Sequence, residues 1–293
     1  MIAFFIVLGV LSLLLFFALF IPYRIAYARV YKPDLTMDYQ GRDEFVKELF
    51  DKANETPYEH VEVRSYDGLK LVGRYYERRA GAPTVLFFHG YRSTPLRDGC
   101  GILRITETSG YNLLLVYQRS HGMSEGNFIT FGVKESKDVM TWCRFLQDKT
   151  DKIYLGGISM GASTVLNASK YDLPNVKAIV ADCGFSSPAE IIFHVIDKKF
   201  KWAYFLAEWS AKLFCGFSVK ESMTDAVSKS KYPILFIHGE CDRFVPLSMT
   251  LKNHEACTSE KRLELFPTAQ HAMSYIVDPE RYQSVVLDFL SDK

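Results

Sequence analysis

The sequence predicts a three-layer α/β domain, with a mostly parallel, doubly wound sheet, carried behind a transmembrane helix. Three observations predict it. Short apolar runs of strand length alternate with helical stretches from residue 84 to the end of the chain. Residues 2–21 form one uncharged, almost wholly apolar run. Between 187 and 231 the alternation stops for a long helical stretch rich in aromatics, which reads as a cap inserted between two strands; most of these aromatics are expected to pack the cap onto the domain, with a few left open as lining for an apolar cleft.

The alternation is read from Thr84–Phe88, Asn112–Tyr117, Lys152–Leu155, Lys177–Ala181, Pro233–Ile237 and Arg262–Phe266. Continuous apolar runs of this length suit strands buried on both faces, as parallel strands are. Helical stretches lie between most of them, notably Lys134–Gln147, Ser159–Lys170 and Leu247–Ala256, and Glu280–Leu290 closes the chain behind an Asp278 cap and Pro279. Parallel neighbours need crossovers, and helices supply them. His60–Ser65 and Leu69–Tyr76 flank an Asp67-Gly68 turn and read as a hairpin.

The apolar run from Ile2 to Ile21 carries no charge, and Ser12 is its polar exception. Twenty residues at about 1.5 Å each reach about 30 Å, the thickness of a bilayer's hydrocarbon core. Tyr23, Tyr27 and Tyr31 follow, as interfacial aromatics do, among Arg24, Arg29 and Lys32. A cleaved signal peptide would begin with a basic segment and end in small residues, and neither is present. The expected organisation is therefore an anchor over 1–22, a juxtamembrane linker over 23–57, and the α/β domain over 58–293 with its cap at about 187–231. The linker carries a short amphipathic helix with Phe45, Val46, Leu49 and Phe50 on one side.

Composition narrows the function. The 293 residues are 48% hydrophobic and 24% charged, with a net charge of +1. No basic tract is present to follow a phosphate backbone, so nucleic acid is not an expected partner. Six single cysteines show neither C-x-x-C pairs nor zinc-ligand spacing, and neither metal nor cofactor is expected. Unpaired thiols at this density also suit a reducing compartment.

Gly157-Ile158-Ser159-Met160-Gly161 is G-x-S-x-G, placed after a strand and opening a helix. A sharp strand-to-helix turn exposes the serine hydroxyl and leaves no room for side chains at the two glycine positions. The pentapeptide alone would match a chain of this length by chance about one time in ten at ordinary glycine and serine frequencies; its strand–turn–helix setting gives it weight. A serine nucleophile needs a base oriented by a carboxylate, and on such a sheet the chain order is Ser, acid, His. His271 follows the last strand and is the expected base; His194 falls in the cap, His254 on a helix, and His238 reads as a structural turn residue. Asp242, after the Pro233–Ile237 strand, is the expected acid, with Asp182 and Glu240 as rivals. The oxyanion donors expected are the backbone N–H groups of Tyr91 and Met160.

Together these segments resemble the α/β-hydrolase superfamily, in its membrane-anchored bacterial group related to the serine aminopeptidase-like and acylglycerol-lipase-like branch. The resemblance spans roughly 58–293 and rests on HGYRST at 89–94, GISMGAS at 157–163, ADCGFSS at 181–187, HGECDRFVP at 238–246 and QHA at 270–272. It implies a triad of Ser159, Asp242 and His271 and an oxyanion hole at Tyr91 and Met160. The chain departs from the family at one point: Tyr117 stands where relatives often have an aspartate, ahead of Arg119, Gly122 and Ser124.

The expected activity is cleavage of a carboxylic ester or acyl lipid through an acyl-enzyme. A peptidase or amidase of the same fold is the alternative, and a non-catalytic membrane-tethered binding protein the rival from another class. The basic flank behind the apolar run favours a cytoplasmic catalytic domain. Protease treatment of intact spheroplasts should then leave the hydrolase domain whole; digestion without lysis would place it outside.

Overall fold

A computed structural model describes residues 1–29 and 40–293. Tyr31 and Lys32, which entered the reading of the membrane flank, lie outside the described residues.

Eight strands form one sheet: β1 (Glu59–Arg64), β2 (Lys70–Tyr76), β3 (Thr84–Phe88), β4 (Asn112–Tyr117), β5 (Ile153–Ile158), β6 (Val176–Asp182), β7 (Ile234–Gly239) and β8 (Lys261–Phe266). Their order is β1-β2-β4-β3-β5-β6-β7-β8. β1 and β2 pair antiparallel, and β2 runs antiparallel to β4. From β4 through β8 all pairs are parallel. β3 is buried at every residue, as a strand covered on both faces must be.

The helices are α1 (Ile2–Pro22), α2 (Asp43–Glu55), α3 (Pro95–Ser109), α4 (Glu135–Leu146), α5 (Met160–Ala168), α6 (Pro188–Val195), α7 (Tyr204–Ser210), α8 (Met223–Val227), α9 (Leu247–Ala256), α10 (Ser274–Val277) and α11 (Pro279–Ser291). Alternate residues of the strands feed two cores. Leu86 and Phe88 point into one with α4, α5 and the cap, while Val85 and Phe87 point into the other with α2, α3 and α11. Helix α3, which sequence periodicity did not single out, runs unbroken through Gly99 and Gly101. Both glycines are needed, because a Cβ there would lie 2.6 Å from the Leu115 side chain and 2.5 Å from the Tyr275 ring.

Helix α1 is long and apolar enough to cross a membrane, and none of its residues is buried. The chain leaving it does more than connect. A π-helical turn, Tyr23–Tyr27, feeds Tyr27 into the core at 0% exposure, where its hydroxyl donates to Ala207 O at 3.0 Å. Ala28 makes a β-bridge to Phe128, and the Arg29 guanidinium donates to the carbonyls of Gly122 and Gly126. Helix α2 buries Val46, Leu49 and Ala53 in the second core. The segment that reads as a linker thus contributes to both cores.

The expectation that the cap aromatics mostly pack the cap onto the domain is overturned. Phe217 is buried and Phe214 packs against α1, but Phe193, Phe200, Trp202, Phe205 and Trp209 are all exposed. The stretch from Lys198 to Cys215 is attached instead by small buried residues, Ala207, Ser210, Ala211 and Cys215, while Ile191, Ile192, Val219, Met223 and Val227 bury the rest of the cap.

Tyr117, where the chain departs from the resembled pattern, supports the following turn with its ring, hydroxyl and carbonyl. Its ring fills the space above Gly122, its hydroxyl accepts from Arg74 at 3.2 Å, and its carbonyl accepts from Ser124 Oγ at 2.6 Å. Arg119, buried beside it, holds Asp138 and Asp67 with two hydrogen bonds each. At Gly122, φ is +49° and a Cβ would lie 2.3 Å from the Tyr117 ring. Gly122→Ala should therefore cost about 1–3 kcal/mol. Thermal melts of the detergent-solubilised chain should show a smaller loss from the same change in a Tyr117→Ala background; equal losses would mean that the ring is not the obstacle.

Candidate active site

The turn from β5 into α5 places Ser159 at φ +55°, ψ −116°, a conformation L-residues rarely adopt. The glycines on either side show why the turn tolerates nothing larger. A Cβ on Gly161 would stand 1.9 Å from the Phe88 carbonyl oxygen, and one on Gly157 would stand 2.4 Å from Gly161. The Ser159 N–H donates to the Asp182 carbonyl at 2.8 Å, which ties the turn to β6.

The turn brings together the three residues expected from chain order. His271 Nε2 lies 2.9 Å from Ser159 Oγ, and His271 Nδ1 lies 2.7 Å from Asp242 Oδ2. In the neutral imidazole, Nδ1–H donates to the Asp242 carboxylate and Nε2 is left to accept the serine proton. The other carboxylate oxygen, Oδ1, accepts the N–H groups of Phe244 and Val245, both at 2.8 Å. Asp242 is thereby fixed in the β7–α9 loop, and the Phe244 ring lies 4.9 Å from the imidazole.

Of the residues weighed against these, Asp182 lies on β6 with its carboxyl 3.3 Å from Ser274 Oγ rather than on His271. His238 is fully buried, with Nε2 3.0 Å from the Val245 carbonyl and Nδ1 2.8 Å from Thr250 Oγ1. His194 is exposed, 3.2 Å from the Arg243 carbonyl. Cys183 stands behind these residues, its thiol raised well above the usual range by burial and by the neighbouring Asp182 and Asp242 carboxylates.

The loop after β3 carries the other half of the site. The Gly90 N–H donates to Asp98 Oδ2 at 2.7 Å and Ser93 Oγ donates to Asp98 Oδ1 at 2.6 Å. Two buried histidines, to which the sequence reading gave no role although His89 opens the HGYRST segment, hold the loop from below, their rings edge to face at 4.7 Å. His89 Nε2 accepts the Gln118 N–H and its Nδ1–H donates to the Gly90 carbonyl; His121 Nε2 accepts the Arg92 N–H and its Nδ1–H donates to the Arg119 carbonyl. This pattern requires both rings to be neutral, and burial pushes them down to about 4 and about 3. The loop is also tied to the chain leaving α1: the Tyr91 hydroxyl donates to the Ala26 carbonyl at 2.8 Å, and Arg92 donates to the Ile25 carbonyl at 2.7 Å. Met160 opens α5, where first-turn N–H groups have no carbonyl within the helix to bond.

A cavity of about 360 Å³ reaches from Ser159 and His271 between α3 and α10. Phe87, Cys100, Ile102, Tyr275, Ile276 and Val46 give it an apolar wall, and Arg92, Asp98 and Asp182 also border it. No cap aromatic lines it. The sequence left open whether some of the cap aromatics line an apolar cleft; in the structure, α2, α3 and α10 supply that wall.

Burial raises the Asp182 carboxyl to about 6, against the hydroxyls of Tyr282 and Ser274, which favour its ionised form. The folded protein therefore keeps this proton to about pH 6, while the unfolded chain releases it near 3.8. The stability it contributes is full below pH 3.8 and is lost as pH rises through 6, to a ceiling of about 3 kcal/mol. Asp182→Asn removes this dependence. The melting temperature of the variant, measured against the parent, should rise between pH 4 and pH 8; a constant difference would count against a protonated Asp182.

The chain is similar to known proteins over most of its length. The chain is 27% identical to YqkD of Bacillus subtilis (strain 168) over 261 residues, covering 86% of this chain and 84% of that one. It is 25% identical to the protein bem46 of Schizosaccharomyces pombe, covering 80% and 77%. Among solved structures it is similar to the Pyrococcus furiosus esterase Pf2001, 25% identical with a TM-score of 0.65, covering 84% of this chain and 94% of that one. Residues 54–212, more than half of the chain, match the family described as X-Pro dipeptidyl-peptidase (S15 family). The chain belongs to that family and, with it, to the α/β-hydrolase superfamily.

Proposed function

We infer that this hydrolase cleaves carboxylic esters of acyl chains through an acyl-enzyme on Ser159, at a membrane that α1 enters. The observation that carries the reading is the unbroken hydrogen-bond relay from Ser159 Oγ through His271 to Asp242, opening on an apolar cavity.

Ser159 Oγ attacks the acyl carbonyl as His271 Nε2 takes its proton. Asp242 keeps the imidazole in the productive tautomer and stabilises the imidazolium without taking the proton. The developing oxyanion accepts from the Tyr91 and Met160 N–H groups. His271 returns the proton to the departing alcohol. A water then repeats the sequence on the acyl-enzyme and releases the acid.

The family also favours a second reading, a peptidase. An exopeptidase that takes a free amino terminus needs a carboxylate for the ammonium. Both carboxyls bordering the cavity are engaged: Asp98 holds Gly90 and Ser93, and Asp182 is paired with Ser274 and Tyr282. Arg92 at the mouth opposes a cation as well. The name of the Pyrococcus relative, an esterase, agrees with the ester reading.

Fluorophosphonate labelling of the full chain should disappear in Ser159→Ala, which remains folded because the elbow loses only an oxygen. Asp242→Asn should lower turnover by about ten-thousandfold, while Asp182→Asn at neutral pH should leave most of it. Across p-nitrophenyl esters of increasing length, kcat/KM should rise by about fourfold per methylene until the cavity is full. Labelling that survives Ser159→Ala would remove the nucleophile, and hydrolysis of X-Pro amides faster than esters would favour the peptidase.

A further inference from the structure

From Lys198 to Cys215 the cap runs as one continuous coil: a 3₁₀ segment, α7, then a π-helical turn. Along it, Trp202, Phe205, Trp209 and Leu213 recur at spacings of three, four and four, which places them on one face. That face points away from the protein, with exposures of 73%, 50%, 61% and 64%. The buried face consists of Ala207, Ser210, Ala211 and Cys215. An outward apolar stripe of this size on a monomer needs a cover.

The position of α1 identifies the cover. Phe214, from the same coil, packs its ring 6.2 Å from Phe16, 5.9 Å from Phe20 and 5.3 Å from Tyr23. A helix needs about 20 apolar residues to span a bilayer, so the run from Ile2 to Ile21 has none to spare. Phe16 lies five residues inside the end of that run, about 7–8 Å below the hydrocarbon boundary. A cap coil in ring contact with Phe16 lies at that depth too, within the roughly 5–10 Å to which interfacial helices sink. Its composition fits the boundary. Tryptophan and phenylalanine form the stripe, and from 197 to 220 five lysines stand against two acids, with Lys201 over Phe193 and Lys212 over Trp209.

We propose that the cap coil Lys198–Cys215 is a membrane-embedded face, in which Trp202, Phe205, Trp209 and Leu213 lie in the acyl–headgroup boundary of the bilayer that α1 crosses. The inference rests on α1 being an anchor; the ester reading does not enter it. Its occupant is lipid, with the lysines favouring anionic headgroups. A second copy of the chain or another protein is the competing cover.

The test uses tryptophan fluorescence of the full chain in phosphatidylcholine–phosphatidylglycerol vesicles, some with lipids brominated in the upper acyl chain. Of the three tryptophans, Trp142 is buried in the core, so the exposed pair reports the cap. Trp202 and Trp209 should lose the larger part of their emission to bromolipid and be shielded from aqueous iodide. Trp202→Phe/Trp209→Phe, which keeps the stripe apolar and the protein folded, should abolish the bromolipid effect. Iodide quenching without bromolipid quenching, in a chain that resists carbonate extraction, overturns the proposal and leaves the anchor standing. Shielding from both quenchers overturns it in favour of a protein cover. Release by carbonate overturns the anchor and the proposal together.

Discussion

The close approach of α5 to the end of β3 constrains most of what surrounds it. Gly161 lies so near the Phe88 carbonyl that no side chain fits between them, and Phe88 is the last residue of β3. Two consequences follow from the one contact. The helix start is forced into a tight turn, which drives Ser159 to positive φ and presents its hydroxyl at the carboxyl edge of the sheet. The loop that follows Phe88, beginning at His89 and Gly90, then emerges beside the serine. Phe88 and Gly157 pair in register across β3 and β5, so strand register sets how serine and loop face each other. Loosening this contact would move the serine away from the loop amides, and small misplacements at such sites carry large kinetic costs.

The loop is held by two neutral imidazoles as well as by the Asp98 carboxyl, which accepts from the Gly90 N–H and Ser93 Oγ. His89 and His121 each accept a backbone N–H and donate to a backbone carbonyl, which an imidazolium cannot do. Burial enforces the neutral form, so the scaffold beneath the loop keeps one hydrogen-bond pattern across the ordinary pH range. Paired charges are placed further out, in the Arg119 network with Asp67 and Asp138, where they fix the chain after β4. Tyr117 works in that same region by shape, and Gly122 is the complementary half of the arrangement.

Much of this was legible in the sequence wherever one physical signal dominated. β3 and β4 coincide with their apolar runs because strands covered on both faces stay apolar throughout their interior, with a buried polar residue, Thr84 or Asn112, only at the start. Ser159, Asp242 and His271 could be chosen from chain order because parallel strands bring their carboxyl-end loops to one edge. Helix α3 was harder to read: Gly99 and Gly101 weaken its propensity, and their cause is the Leu115 and Tyr275 side chains, distant in sequence. Thr94 and Pro95, a cap followed by a first-turn proline, were its available signal. The direction of the cap aromatics was hidden for another reason. Periodicity gives a face but not its orientation, and small buried residues attach the coil where large ones would be expected. Tyr27 was misleading in the same way, since a tyrosine just past an apolar run looks interfacial whether its ring lies in lipid or in a protein core.

Tyr27 also bears on how force passes through the molecule. Its ring is enclosed, its hydroxyl is bonded to the cap at Ala207, and the next residue is bridged to Phe128. One residue earlier, the Ala26 carbonyl holds Tyr91. Tension drawn along α1 would therefore meet this socket before any slack chain could extend. The first bonds to strain would be those that steady the loop beside Ser159, so the attachment behaves as a rigid mount whose loading is felt at the reactive end of the sheet.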